Sequence, residues 1–206
     1  MNRAQKTFLI PVCELLPSEI TRIRREAIAA VVAMAATELK KSPGGLVVRD
    51  IRPYSDLHWC TDATAFDTAL SVDSWCPTLD SSDAYEAYKA TVSATYTTMT
   101  DSRWVVLTGV KDFRLAEATA VKQVINFLKF TVGGNDRAIW DLQGMEAYPN
   151  SMAAVSPAPV VIPQNTDYQI YILHAESDDG NAASDKVVYL VLDGFVVEPR
   201  GKVLSP

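Results

Sequence analysis

Histidine is nearly missing from this chain, with two in 206 residues, His58 and His174. Cysteine is scarce as well, at positions 13, 60 and 76. A zinc site usually needs four ligands in paired short spacings. Here His58-x-Cys60 is one such pair, and Cys76 stands alone. An odd, sparse cysteine count also excludes a disulfide-built scaffold. The longest uninterrupted apolar run is "AIAAVVAMAA", Ala27 to Ala36. Ten residues cannot span a bilayer as a helix, which takes about 20. The opening "MNRAQKTFLIPVCELLP" lacks the small-residue cleavage site of a secretion signal. Positive charge is not in excess: the net charge is −6 and the isoelectric point about 4.9. The surface as a whole is therefore no magnet for nucleic acid.

Two further motifs fail on close reading. "TVGGNDRA" lacks the Gly-Lys-Ser/Thr and following helix of a phosphate cradle, and reads as a hairpin turn. "SDDGNAASD" (Ser177–Asp185) has oxygen ligands but neither the spacing nor the closing glutamate of a calcium loop. It reads as a solvated turn. No repeat of 20–50 residues is present.

What is present is an ordinary globular balance, 48% apolar and 21% charged. The charge is split. Residues 1–41 hold seven basic and four acidic side chains, a net +3 that leaves −9 for the other 165. A basic end on an acidic body implies that the two face different surroundings. The same division gives the expected layout: an N-terminal arm and helix over 1–44, then a β-sandwich domain over 45–206.

The helix follows Pro17, with Ser18 as the expected N-cap and Glu19 in the first turn, where the helix dipole favours an acid. Lys40 and Lys41 close it before Ser42-Pro43-Gly44-Gly45. Ile20, Ile23, Ala27, Val31 and Met34 form one apolar stripe, and the second half is apolar nearly all round. Such a helix is expected to be covered on more than one side. The cluster Arg22, Arg24 and Arg25 could meet phosphate or acidic lipid heads, but reads first as a solvated or salt-bridged helix face.

From Gly45 onward the period is two. Strands are expected over 46–51, 91–99, 103–110, 121–132, 137–142, 168–174 and 186–197, the last broken at Asp193-Gly194. Proline-punctuated "SPAPVVIP" (Ser156–Pro163) reads as an extended edge segment. Short strands with turns every 8–12 residues predict a sandwich or barrel.

One stretch stays open. "LHWCTDATAFDTALSVDSWC" (Leu57–Cys76) is compatible with a metal site, a cysteine nucleophile, a Cys60–Cys76 disulfide, or packing of Trp59 and Trp75. No glycine-rich elbow or marked base supports the nucleophile. The aspartates of 50–85 include no pair set apart for glycoside cleavage. Trp104, Trp140 and Tyr148 are candidate sugar platforms if exposed, and core residues if not.

The C-terminal half resembles a known group. "VKQVINFLKFTVGGNDRAIWDLQGMEAY", "SPAPVVIPQNTDYQIYIL" and "KVVYLVLDGFVVEP" are similar to the second half of jelly-roll structural proteins of tailless bacteriophages and related viruses. The shared features are a strand running into a Gly-Gly hairpin, a Pro-x-x-Ile-Pro-x-Asn-Thr lead-in, and a closing Leu-Asp-Gly strand before a proline. They cover roughly residues 103–200. Residues 1–100 and the long helix fall outside the pattern.

The resemblance implies a single jelly-roll-type antiparallel β-sandwich; joined to the one long N-terminal α-helix read above, the expected fold is mainly β. It implies a virion structural protein, assembled in the host cytoplasm, that works by symmetric self-assembly without catalysis, cofactor or small-molecule substrate. Its partners are copies of itself and other virion proteins, with genome or an internal membrane against the basic N-terminal segment. Major capsid, vertex and decoration roles all remain open. The residues expected to face a subunit interface or the particle interior are Ile20, Arg22, Ile23, Arg24, Arg25, Ala27, Val31 and Met34. Two other classes compete: a carbohydrate-binding β-sandwich module, and an enzyme using the 57–85 loop.

Overall fold

Alternating apolar residues decide where each strand of this chain faces. In β7 (Trp104–Ala116), Val105 and Leu107 point to one side and Trp104 and Val106 to the other. All four are buried, so both faces of this strand are covered. The structure, a computed structural model, describes residues 5–51, 56–57, 78–79, 87–88, 97–116, 125–142, 153–174 and 186–203.

The chain is mainly β, a sandwich-like arrangement of two sheets with one long helix. The first sheet has the order β2-β10-β7-β12-β3, with β4 also on β12. Its strands are β2 (Ile10–Pro11), β3 (Leu46–Asp50), β4 (Thr78–Leu79), β7, β10 (Ala154–Ile162) and β12 (Lys186–Pro199). The second has the order β1-β9-β8-β11-β5, with β6 also on β11. It contains β1 (Gln5–Phe8), β5 (Ala87–Tyr88), β6 (Thr97–Thr98), β8 (Ile125–Val132), β9 (Asn135–Asp141) and β11 (Asp167–His174). Every pairing is antiparallel except β1 with β9.

The core lies between the sheets. Leu128, Phe130, Trp140, Leu142 and Ile170 from one sheet meet Val105, Leu107, Val160, Ile162 and Val196 from the other. Phe130 and Trp140 pack edge to face, with ring centroids 4.5 Å apart, a geometry that aligns the positive edge of one ring with the face of the other. Gly133 and Gly134 take positive φ in the β8–β9 turn, the hairpin read from the sequence.

The last strand runs through Asp193-Gly194 instead of breaking there. Its register against β7 shifts between Val191 and Leu192 and again between Asp193 and Gly194. Bulges absorb the irregularity and keep the strand continuous. Glycine is required at the second one: a Cβ on Gly194 would lie 2.1 Å from the Val106 carbonyl oxygen. The proline segment, Ser156–Pro163, is the edge read from the sequence, since β2 meets β10 only at Ala154 and Val155. β10 pairs with β7 on one side and with the two-residue β2 on the other. Its ladder to β7 slips between Val155 and Val160, which is where the prolines cannot donate.

Helix α1 (Pro17–Leu39) begins two residues earlier than its capping signal suggests. Leu16 is the N-cap and Pro17 the first helical residue, so Ser18 lies inside the helix. Proline suits that position, because its missing N–H would have no partner there. Glu19 reaches back to accept a 2.8 Å hydrogen bond from the Leu16 N–H. At the other end Lys40 takes the left-handed conformation, and Lys41 N–H donates to Ala36. A last helical turn, α2 (Arg200–Val203), follows β12.

Candidate functional site

The arm, the long helix and the proline segment of β10 come together along one side of the sandwich. The arm reaches the rims of both sheets: β1 lies on β9 and β2 on β10. Lys6 anchors it. Its ammonium is 2.7 Å from Asp141, whose side chain is only 3% exposed, and it sits over the rings of Phe8 and Phe127 at 5.4 and 4.7 Å.

Helix α1 covers the outer face of the first sheet. Its second half buries Val31 and Ala35 against Trp104, Val106, Phe195 and Val197, with Ala27, Ile28, Val32, Ala36 and Leu39 partly buried beside them. Small alanines let the helix lie close to the strands. The first half overhangs. Ile20 and Ile23 are only half-buried. Beneath it a groove of about 370 Å³ opens, lined among others by Ile10, Leu15, Ile23, Ala27, Pro157 and Pro159.

The groove wall is rigid. Buried Ser156 donates a 2.7 Å hydrogen bond to the Ala158 carbonyl and accepts one of 3.2 Å from the Ala158 N–H. The flanking prolines fix their own φ. Together these hold Pro157–Pro159 out from the strand ladder.

The residues singled out on the helix therefore part company. Val31 is core and Ala27 packs beside it. Met34 ends the stripe 45% exposed, because the buried face centres on Val31 and Ala35. Arg22 pairs with Glu26 at 3.1 Å on the surface. Arg24 turns inward to Asp50 and Asp193, 3.4 Å from each, and Lys111 approaches Asp193 at 3.2 Å. Arg25 is exposed. The three arginines do not form one anion platform: Arg22 and Arg25, at i and i+3, share a face, while Arg24 turns away to Asp50 and Asp193.

A second cluster carried no sequence signal. Asp56 and Glu198, 1% and 3% exposed, are held by Arg49 and Arg103. Arg49 donates from Nη1 and Nη2 to Asp56 at 2.7 Å each, and from Nε to Glu198 at 2.7 Å. The Asp56 hydrogen bond holds the Arg49 guanidinium charged well beyond its ordinary range. Beside it the Tyr168 hydroxyl donates to the Leu57 carbonyl. Burial first, and the nearby Asp56 charge second, push that phenol's pKa far up. The four ionic groups come from sequence positions 49, 56, 103 and 198, so no local pattern could have linked them. The charges are balanced and bonded to one another, which suits a structural tie between β3, β12 and the start of β7.

Of the Leu57–Cys76 stretch, Leu57 is described and buried; His58, Trp59, Cys60, Trp75 and Cys76 lie outside the described residues. So do Tyr148 and Ser177–Asp185. Trp104 and Trp140 are fully buried, and neither offers a ring face to a sugar. Among the described residues no group of three or more His, Cys, Asp or Glu is placed to hold a metal ion. Among them, too, no helix is long and apolar enough to cross a membrane.

No protein-family model matches the chain, and neither curated proteins nor solved structures give a match.

Proposed function

We propose that this chain is a jelly-roll subunit of a virus or bacteriophage particle, acting by self-assembly and not by catalysis. The strand order carries the reading. Four strands run β3-β12-β7-β10, and opposite them run β5-β11-β8-β9. From β7 onward the chain visits the first sheet, the second twice, the first, the second and the first again. Two interleaved four-stranded sheets wound in this order are what the eight strands of a jelly roll make. In that reading β1 and β2 are additions from the arm, and β4 and β6 extend the strands beside them.

Jelly rolls also serve as lectins and cupins, and fold alone assigns no function. The apolar surface favours assembly. Phe8, Leu16 and Met34 are exposed by 67%, 64% and 45%, all on the arm or the helix. Subunit contacts would cover them. Exposed Arg25, Lys40 and Lys41 leave the N-terminal segment basic, which suits a side turned towards genome or an internal membrane. The partners in this reading are further copies and other virion proteins.

Light scattering on a sizing column, followed by electron microscopy of large fractions, tests the proposal. Trimers, rings, shells or larger particles are expected. A monodisperse 22.6 kDa species at every concentration and salt condition would refute it.

A further inference from the structure

We infer that β3 pairs with β3 of a second copy of this chain, antiparallel about a two-fold axis at Val48, so that the two first sheets become one continuous sheet. The inference rests on the assembly reading above and supplies one of its contacts. The Ile51 N–H donates to the Gly194 carbonyl. In the β3–β12 register this turns the N–H and C=O groups of Val47 and Arg49 towards β12, and those of Leu46, Val48 and Asp50 outward. Two of these outward groups have partners within the chain. The Leu46 N–H donates to the Pro43 carbonyl, and the Asp50 carbonyl accepts from the Arg49 guanidinium at 3.2 Å. Among the described residues, the Leu46 carbonyl, both groups of Val48 and the Asp50 N–H have none. A strand edge with open main-chain groups is a template for another strand.

Self-pairing uses the groups left open. With Val48 opposite its own copy, each Val48 N–H meets the other Val48 carbonyl. Each Asp50 N–H meets the Leu46 carbonyl of the other copy. The remaining bond of this register would join the Leu46 N–H to the Asp50 carbonyl, the two groups already satisfied within the chain. The side chains agree. Val48, 37% exposed, lies against its own copy, a β-branched pair that suits neighbouring strands. Arg49 falls opposite Val47 and Asp50 opposite Leu46, so no like charges face each other. Arg49 is bound to Asp56 and Glu198, and Asp50 lies 3.4 Å from Arg24. Helix α1 stands back from this edge, over Trp104 and Val106 of β7 and Phe195 and Val197 of β12. The opposite edge of the same sheet differs: β10 carries Pro157 and Pro159, which cannot donate. A two-fold contact of this kind is isologous and closes on two chains. Other surfaces then join the pairs into a particle.

Val48→Pro tests the main-chain pairing. The N–H it removes points outward, so the ladder to β12 is kept, and Val47 before it is already extended. A urea midpoint close to that of the unaltered protein verifies folding. Light scattering over a dilution series is expected to show pairing at a concentration about tenfold or more higher, because both central hydrogen bonds are lost. Val48→Thr keeps the N–H and the β-branch, and should associate much as the unaltered protein does. Hydrogen exchange of the unaltered protein needs no variant: the Val48 and Asp50 amides are expected to be protected in the associated state and to exchange rapidly in the dilute monomer. If the unaltered protein assembles and folded Val48→Pro assembles equally well, this inference fails while the assembly reading stands. Rapid exchange at both amides in the associated state overturns it too. So does protection already present in the monomer, which would mean that the chain covers its own edge. If the unaltered chain never associates, both readings fail together.

Discussion

Removing the Asp56 carboxylate strands two partly buried guanidinium groups against one remaining acid. Asp56 accepts both prongs of the Arg49 fork at 2.7 Å and lies 3.3 Å from Arg103. After Asp56→Ala, Arg49 and Arg103 would share Glu198 alone. Losing one partner of a buried ion pair costs about 3–5 kcal/mol. The two arginine side chains keep 22% and 20% of their exposure, so water partly compensates. The expected loss is therefore at the low end, about 3 kcal/mol. For a chain of this size that is a fall in Tm of roughly 6–12 °C. Urea unfolding followed by tryptophan fluorescence reads it, because Trp104 and Trp140 are buried in the two cores. Glu26→Ala, which breaks only the exposed pair with Arg22, is the control and should cost at most about 0.5 kcal/mol. Arg49→Met combined with Asp56→Leu should cost less than Asp56→Ala, since Arg103 and Glu198 stay paired and no charge is stranded. If Asp56→Ala costs no more than the Glu26 control, the network is not holding β3, β12 and β7 together.

Three other expectations concern Gly194, helix α1 and Tyr168. Gly194→Ala should destabilise by about 1–3 kcal/mol or more, because the new methyl meets the Val106 carbonyl, which is backbone and cannot swing aside; an unchanged urea midpoint would refute this. Val31→Ala should cost about 1–2 kcal/mol and Met34→Ala under about 0.5, since only Val31 faces Trp104 and Phe195; equal costs would mean that α1 is rotated on its sheet. Tyr168 holds its proton in the folded state, whereas an unfolded tyrosine ionises near pH 10. Its contribution is fully present below about pH 10 and is lost as the pH rises further, by up to about 1.4 kcal/mol per unit. Tyr168→Phe should flatten that alkaline decline in urea midpoints, and parallel pH profiles for the two proteins would count against it.

Local residue patterns are enough to name the kinds of element and many of their places. Alternation in "RWVVLTGV" and "INFLKF" specifies strands with two different faces, because side chains on a strand point to opposite sides in turn. Pro17 and Glu19 mark the start of the helix, the one by its fixed φ and the other by its capping bond, whereas the end falls at a left-handed Lys40, ahead of the glycines at 44 and 45. Those are local effects, and local sequence is enough to read them.

Which residues meet depends on the folded chain as a whole. The stripe read from Ile20 to Met34 sits about one position off the buried face, because the helix is oriented by Trp104 and Phe195 on strands far away in sequence. Arg24 left its basic neighbours for Asp193, 169 residues away. The Arg49–Asp56–Arg103–Glu198 tie and the groove against Pro157 join segments that only the sheet order brings together. Such contacts depend on the path of the whole chain. Composition and spacing set which groups are available, and packing selects their partners.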